Sequence, residues 1–308
     1  MLPITIIIPS YNRPHKLATC LETLTQLDYP PDLFDIIIVD DGSPTPYDSI
    51  VQQYQTRLNI RLLRKDNGGP ASARNYASEH VTKPYIAFTD DDCYPDPSWL
   101  RLLSTALYRC PDAMVGGHTV NMLTNNPYSA TSQLIADVVY RHYNRDPEHA
   151  TFFASNNIAI PTQKFREIGK FDSVFYKAAS EDRELCDRWV HKGWRMIYVP
   201  DAIINHAHDL SLISFIRQHI NYGRGAYHFH RVRSRRQSGS IRRETEFHLN
   251  MSNWLFEPIH LASSRREKIR TFAMLMVWQV ANAVGYFYEL GKHRLVDQHR
   301  EKQSAQQA

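Results

Sequence analysis

The 308-residue sequence has only four cysteines, Cys20, Cys93, Cys110 and Cys186, and no two form a Cys-x-x-Cys pair. A disulfide framework or a cysteine-held zinc site is not expected from that spacing, and a reducing compartment is. Glycine is sparse at 12 residues and no period repeats, which argues against solenoids and propellers. No Gly-x-Gly-x-x-Gly follows the first apolar run, and no Walker-type Gly-x-x-x-x-Gly-Lys occurs anywhere. Dinucleotide-dependent dehydrogenases and P-loop nucleotidases are therefore disfavoured. The opening MLPITIIIPSYNRP carries an apolar run only as long as a strand, with no basic residue before it. No secretory signal is expected, and a cytoplasmic globular protein is. Hydrophobic residues make up 43% and charged residues 22%, near the averages for globular chains. Disordered, collagen-like and polytopic membrane proteins are excluded.

Charge is distributed unevenly. Residues 1–200 carry 20 Lys and Arg against 23 Asp and Glu, whereas residues 201–308 carry 16 against 9. The basic excess peaks at 224–243, RGAYHFHRVRSRRQSGSIRR, which favours an anionic partner such as a phospholipid surface or a lipid-linked phosphate. No nucleic-acid reading motif accompanies it, so nucleic acid is not expected as a partner.

Up to about residue 110, apolar runs and helical stripes alternate. Ile4–Ile8 and Phe34–Val39 read as buried strands, and Ile60–Arg64 and Tyr85–Thr89 as two more. Helices are expected after them, with Leu17, Cys20, Leu21 and Leu24 forming the first stripe, then 47–58, 70–80 and 97–109. Such alternation predicts right-handed βαβ units and a mostly parallel sheet, with ligands bound beyond the carboxyl ends of its strands. Three strand ends are rich in polar residues: Pro9-Ser-Tyr11-Asn-Arg13, Asp40-Asp41-Gly-Ser, and Asp90-Asp91-Asp92. Consecutive aspartates repel one another unless a cation compensates, and Mg²⁺ or Mn²⁺ suits an Asp-x-Asp because hard ions take oxygen ligands. Such an ion would hold a diphosphate and neutralise its charge as it leaves. Further on, Phe152–Ile160 reads as a strand interrupted by polar residues, 195–199 and 202–208 as two strands, and 211–222 as a helix.

Together with Asn67-Gly-Gly-Pro-Ala-Ser-Ala-Arg74-Asn75, these strand ends resemble a family 2 glycosyltransferase over about residues 1–210. The resemblance implies an α/β fold: a GT-A-like, mostly parallel sheet flanked by helices, with a C-terminal helical appendage. It implies inverting transfer from a nucleotide-diphosphate sugar, with a divalent metal, Mn²⁺ or Mg²⁺. Pro9, Tyr11 and Arg13 match positions flanking the base and ribose, and Asp40 the carboxylate that reads the base edge. Asn67, Gly68 and Arg74 match the loop and helix beside the nucleotide. Asp90 and Asp92 match the ends of the metal-binding motif, and Asp91 its variable middle. Ser155, Asn156 and Asn157 resemble the segment facing donor sugar and acceptor. In Ser180-Glu181-Asp182, Asp182 takes the place of the general base, and Glu181 of a group that orients acceptor or base. His206 resembles the late histidine that completes the metal or diphosphate shell, with His208 its open alternative.

Residues 1–210 form the expected catalytic domain, with a nucleotide-sugar half (1–115) and an acceptor half (116–210). Residues 211–297 form a basic, amphipathic helical region, and 298–308 a frayed tail. The segment Gln218–Tyr222 departs from the Gln-x-x-Arg-Trp of processive family members, and single-sugar addition to a glycan or lipid-linked acceptor is expected. Thr271–Leu290 has one charge, Glu289, in twenty residues and is bracketed by Arg and Lys. It suits a helix at the cytoplasmic membrane surface, and equally one packed on the protein itself. A noncatalytic sugar-nucleotide-binding protein on the same fold is the competing class.

Overall fold

The computed structural model describes residues 1–175, 179–239, 242–261 and 264–307, excluding the side chains of 242–244, 253, 261 and 295–307. The chain divides into two compact units, residues 1–176 with 181–209, and residues 177–180 with 210–308.

In the first unit, the β-branched run Ile4–Ser10 forms β1 and is buried at every position. β2 (Phe34–Asp40), β3 (Ile60–Arg64) and β4 (Tyr85–Phe88) lie parallel around it. β5 (Cys93–Pro95), β6 (Met114–Asn121), β7 (Ile158–Pro161) and β8 (Met196–His206) complete one sheet of order β3-β2-β1-β4-β7-β6-β8-β5. β7 runs antiparallel to both its neighbours, and β5 antiparallel to β8; the other pairings are parallel.

Strand alternation sends side chains to two cores, one on each face. Ile4, Ile6, Ile8, Ile36 and Ile38 pack with Leu17 and Leu21 of α1 (Pro14–Leu24) and Val51 of α2 (Asp48–Tyr54). Ile7, Ile37 and Val39 pack on the other face with Ala73 and Ala77 of α3 (Gly69–Glu79). α4 (Trp99–Arg109) adds Trp99, Leu100 and Leu103 to the first core. α5 (Pro127–Tyr143) starts at Asn126, whose side chain accepts from the amides of Tyr128 and Ser129, with Pro127 filling the first helical position. α6 (Thr162–Glu167) and α7 (Glu181–His191) supply Phe165, Leu185 and Trp189 to the second core.

Several elements differ from the sequence expectation. The helix expected over 47–58 spans only Asp48–Tyr54. The strand expected over 152–160 begins at Ile158, because Ser155–Asn157 form a turn. The two strands expected over 195–208 are one, β8, whose register against β6 shifts at Gly117/His118 and so carries the chain past Pro200. β6 and α5 had no counterpart in the sequence pattern, and residue 115 lies inside β6 rather than at a boundary.

In the second unit, α8 spans Leu212–Arg236, far longer than 211–222, and opens with a reciprocal Ser211/Ser214 capping box. α9 (Arg242–Leu249), a π-helical turn at Ser252–Phe256 and α10 (Glu257–Leu261) lead to α11 (Arg265–Gln307). α11 continues through 298–307, where the sequence suggests a frayed tail. α8 and α11 approach closely through Gly223 and Gly285: a Cβ at Gly223 would lie 2.0 Å from the Asn282 carbonyl oxygen, and one at Gly285 2.0 Å from that of Ile220.

Part of the basic stretch of α8 is engaged inside this unit. Arg224 grips buried Glu289 through Nε at 2.7 Å and Nη2 at 2.6 Å. Arg231 donates to His293 Nδ1 at 2.9 Å, and buried Arg233 stacks over Phe229. Three of the arginines in the expected cationic stretch, Arg224, Arg231 and Arg233, thus make contacts within the unit, while Arg235 is exposed. No helix among the described residues is long and apolar enough to cross a membrane.

Candidate active site at the strand ends

The acidic loop after β4 separates its three carboxylates by their surroundings. Asp91 points into the protein: its Oδ2 accepts from Ser10 Oγ at 2.7 Å, and its Oδ1 pairs with Arg13 Nη1 at 3.2 Å. Burial pushes its pKa up to about 6 despite Arg13. Asp92 is equally buried, but the hydrogen bond and charge of His206, with Lys16 and Arg13, outweigh burial and hold it below the usual carboxylate range. Its contacts are His206 Nε2 at 3.3 Å, Lys16 Nζ at 3.0 Å and Arg13 Nη1 at 3.2 Å. Asp90 remains the most accessible of the three and takes Arg74 Nη2 at 2.5 Å.

The pairing of Asp92 with His206 follows from sheet register. β5 and β8 run antiparallel with Cys93 opposite His206, which brings a strand-end histidine beside the acidic loop. Ligand atoms of Asp92, Cys93 and His206 all lie within 4.8 Å of one another. A carboxylate and an imidazole fit a divalent cation, and Asp90 offers a second oxygen donor nearby in sequence. Cys93 fits it poorly, because burial pushes its thiol well above the ordinary range and keeps it protonated. His208 stacks on His206 with ring centroids 5.0 Å apart, and burial lowers it to about 4.

Arg74 is the link between the two acidic segments. Its side chain is buried in α3 over the Phe171 ring; Nη2 holds Asp90, and Nη1 lies 3.5 Å from Glu181 Oε1. Burial pushes Glu181 up to about 7, helped by Asp182 and opposed by Arg74. Asp182 is also raised, by burial, against the backbone amides of Arg183 and Ser155 and the charge of Arg74. The segment enters α7 through Ala179 (φ 54°) and Ser180 (φ 82°), a left-handed pair that neither side chain favours.

The residues expected beside the nucleotide are ordered around Asp41, which the sequence did not single out. Asp41 accepts from the amides of Gly68 (Oδ1, 3.0 Å) and Gly69 (Oδ2, 2.7 Å), and its Oδ1 takes Lys65 Nζ at 2.8 Å. Asn67 Nδ2 donates to the Asp41 carbonyl at 3.0 Å. Gly42, at φ 83°, passes so close that a Cβ would lie 2.9 Å from the Asn67 nitrogen. Asp40 is 1% exposed; it accepts from the Ser43 amide at 2.8 Å and faces Arg64 at 3.6 Å. Pro9 is buried in β1, whereas Tyr11 is half exposed.

Among the residues expected to face donor sugar and acceptor, Asn157 is enclosed instead by the protein's own groups. It is fully buried; its Oδ1 accepts from Trp99 Nε1 at 2.8 Å, and its Nδ2 donates to the carbonyls of His118 and Ala202, each at 3.0 Å. It braces β6, β8 and α4 together. Asn156 accepts from Thr119 Oγ1 at 3.3 Å and donates to Cys93 Sγ at 3.4 Å. Ser155 meets Asp182 through its backbone amide. Asp41, Lys16 and Ser10 are residues of the candidate site that sequence reasoning missed. Lys16 lies one helical turn after Arg13, a spacing that could have flagged it.

A sheet of this order, with helices on both faces and an acidic loop after the fourth strand, defines the GT-A class of α/β fold. A mannosyltransferase from Pyrobaculum calidifontis, solved with GDP-Man and Mn²⁺, shares it with a TM-score of 0.69 at 17% identity, over 94% of this chain and 88% of that one. So does residues 1–349 of Staphylococcus aureus TarS with UDP-GlcNAc, with a TM-score of 0.61 at 15% identity, over 96% and 92%. Residues 5–169 match the family described as glycosyl transferase family 2, and the chain belongs to it. Among curated relatives, the pre-mycofactocin glycosyltransferase of Mycobacterium tuberculosis is 29% identical over 229 residues, 72% of this chain and 46% of that protein. Validoxylamine A glucosyltransferase of Streptomyces hygroscopicus subsp. limoneus is 26% identical over 59% of this chain and 46% of its own length. The chain thus spans less than half the length of these relatives.

Proposed function

We propose that the protein is an inverting glycosyltransferase that moves a single sugar from a nucleotide-diphosphate donor, a UDP-sugar by default, to a hydroxyl of a glycan or lipid-linked acceptor. The observation that carries this reading is Arg74, a buried guanidinium shared by Asp90 of the acidic loop and Glu181 beside Asp182. A structural protein gains little from joining two acidic segments 91 residues apart around one charge, whereas a transferase needs donor and base fixed relative to each other. The names of the related proteins, a mannosyltransferase bound to GDP-Man and a TarS fragment bound to UDP-GlcNAc, also favour a nucleotide-sugar donor.

In this mechanism Asp92, Asp90 and His206 would hold Mn²⁺ or Mg²⁺, which supplies charge neutralisation for the departing diphosphate. Arg13 and Lys16 keep Asp92 ionised and bring positive charge beside the acidic loop. Asp182 accepts the proton of the acceptor hydroxyl as that oxygen bonds to the anomeric carbon and the bond to the diphosphate oxygen breaks on the opposite face. A carboxylate whose pKa is raised by burial is a stronger base than an ordinary one. Glu181, next to Arg74, positions the base.

Asp182→Asn tests this directly. Transfer should fall by ~10²–10⁴-fold, while stabilisation by the donor with Mn²⁺ in a thermal shift persists. Turnover near that of the parent protein would remove Asp182 from the role. If no UDP-, GDP- or dTDP-sugar stabilises the protein, the donor reading fails.

A further inference from the structure

Helix α11 is amphipathic in the reverse of the usual sense. Between Phe272 and Gly291 the exposed residues are Phe272, Ala273, Met276, Val280, Ala283, Val284, Phe287, Tyr288 and Gly291, and none carries a charge. Positions 273, 276, 280, 284, 287 and 291 follow one another by three or four residues, so they line a single face over roughly 28 Å at ~1.5 Å per residue. Val280 is 58% exposed and Phe287 66%. The polar residues of the same stretch lie on other faces: Glu289 is buried against Arg224, and Gln279 and Asn282 are half-buried. A solvated helix shows the opposite pattern.

The ends of the stripe are cationic. Arg265, Arg266, Lys268 and Arg270 precede it and Lys292 and Arg294 follow, with Glu267 the one acidic side chain besides buried Glu289. These charges distinguish the two obvious occupants of the face. A second copy of the helix, parallel or antiparallel, would set cations against cations at both ends. An anionic bilayer would meet them with phosphates while the stripe enters the boundary between headgroups and acyl chains. Tyr288, with a polar tip on an apolar ring, suits that boundary.

We infer that the exposed face of α11 is a docking surface for an anionic lipid bilayer, on which the helix lies in the plane of the headgroups. The inference is independent of sugar transfer. It rests on the polarity of one helix.

The test is co-sedimentation of the full chain with vesicles of phosphatidylcholine alone or mixed with phosphatidylglycerol. Binding should require phosphatidylglycerol and weaken with salt. Val280→Glu/Val284→Glu, both on the exposed face, should reduce it at least tenfold while circular dichroism stays unchanged. Neutralising Arg266, Lys268 or Arg270 should weaken it by about fivefold each. Asp182→Asn should bind vesicles like the parent protein, so a failure of the catalytic reading would not register here. Two results would overturn the inference: equal or absent binding to both vesicle types, or concentration-dependent self-association that Val280→Glu/Val284→Glu abolishes in a protein that ignores vesicles.

Discussion

Each unit of the protein buries a charged side chain among partners, and the partners differ in an instructive way. In the first unit Arg74 sits between Asp90 and Glu181, which belong to segments far apart in sequence. In the second unit Glu289 is held by Arg224, with His228 and His293 at 3.6 and 3.9 Å, all on the two long helices α8 and α11. Buried ion pairs are poor sources of net stability, because desolvation offsets most of their attraction. They are therefore better understood as positional devices. Arg74 fixes one loop against another, whereas Glu289 fixes one face of a helix inward and leaves the apolar face outside.

That contrast can be broken by mutation. The largest effect is expected from Arg74→Ala, which strands Asp90 and Glu181 without their shared cation. Loss of one partner from a buried pair costs ~3–5 kcal/mol, measurable by urea denaturation, and transfer should fall with it. If Arg74→Ala were as stable and as active as the parent, the positional role of the guanidinium would be lost. Glu289→Ala should cost less, ~1–3 kcal/mol, because Arg224 and His293 keep partial access to water. Donor-induced thermal stabilisation should survive this change, and its disappearance would mean that the second unit contributes to the donor site.

The smallest effect is the pH dependence of Glu181. Its folded pKa, about 7, lies above the ordinary 4.5, so the folded state binds the extra proton. Stability from this group is present below pH 4.5 and is lost as pH rises through about 7. Glu181→Gln cannot release that proton, and its denaturation midpoint should decline less than the parent's over the same window. Parallel pH profiles for the two proteins would show that Glu181 is not perturbed in the way its burial requires.

The strand-end loops were legible in the sequence because each apolar run stops abruptly at a polar cluster, and parallel strands bring such ends to one side. Asp90–Asp92 and Glu181–Asp182 were found that way, or by resemblance. What could not be read was how each carboxylate is held. Asp91 and Asp92 are neighbours in sequence, but Ser10 turns one inward and His206 holds the other ionised. His206 reaches the loop through the β5–β8 register, a non-local pairing that no local pattern encodes. Asn157 looked like a ligand contact and is a brace, because its partner Trp99 lies 58 residues away. In the second unit composition did not say which arginines of 224–243 have partners: Arg224, Arg231 and Arg233 turn toward other side chains of the unit, whereas Arg235 is exposed.

The antiparallel strand β7 carries a consequence for how this chain can be divided. It lies between β4 and β6, so the four parallel strands of the first half take a fifth from residues 158–161. A fragment truncated near residue 115 would leave the edge of β4, Tyr-Ile-Ala-Phe, open to pairing with any other extended chain, and aggregation is its expected fate. The two halves of the sheet should accordingly melt in one cooperative transition, and neither should be recoverable as an autonomous module.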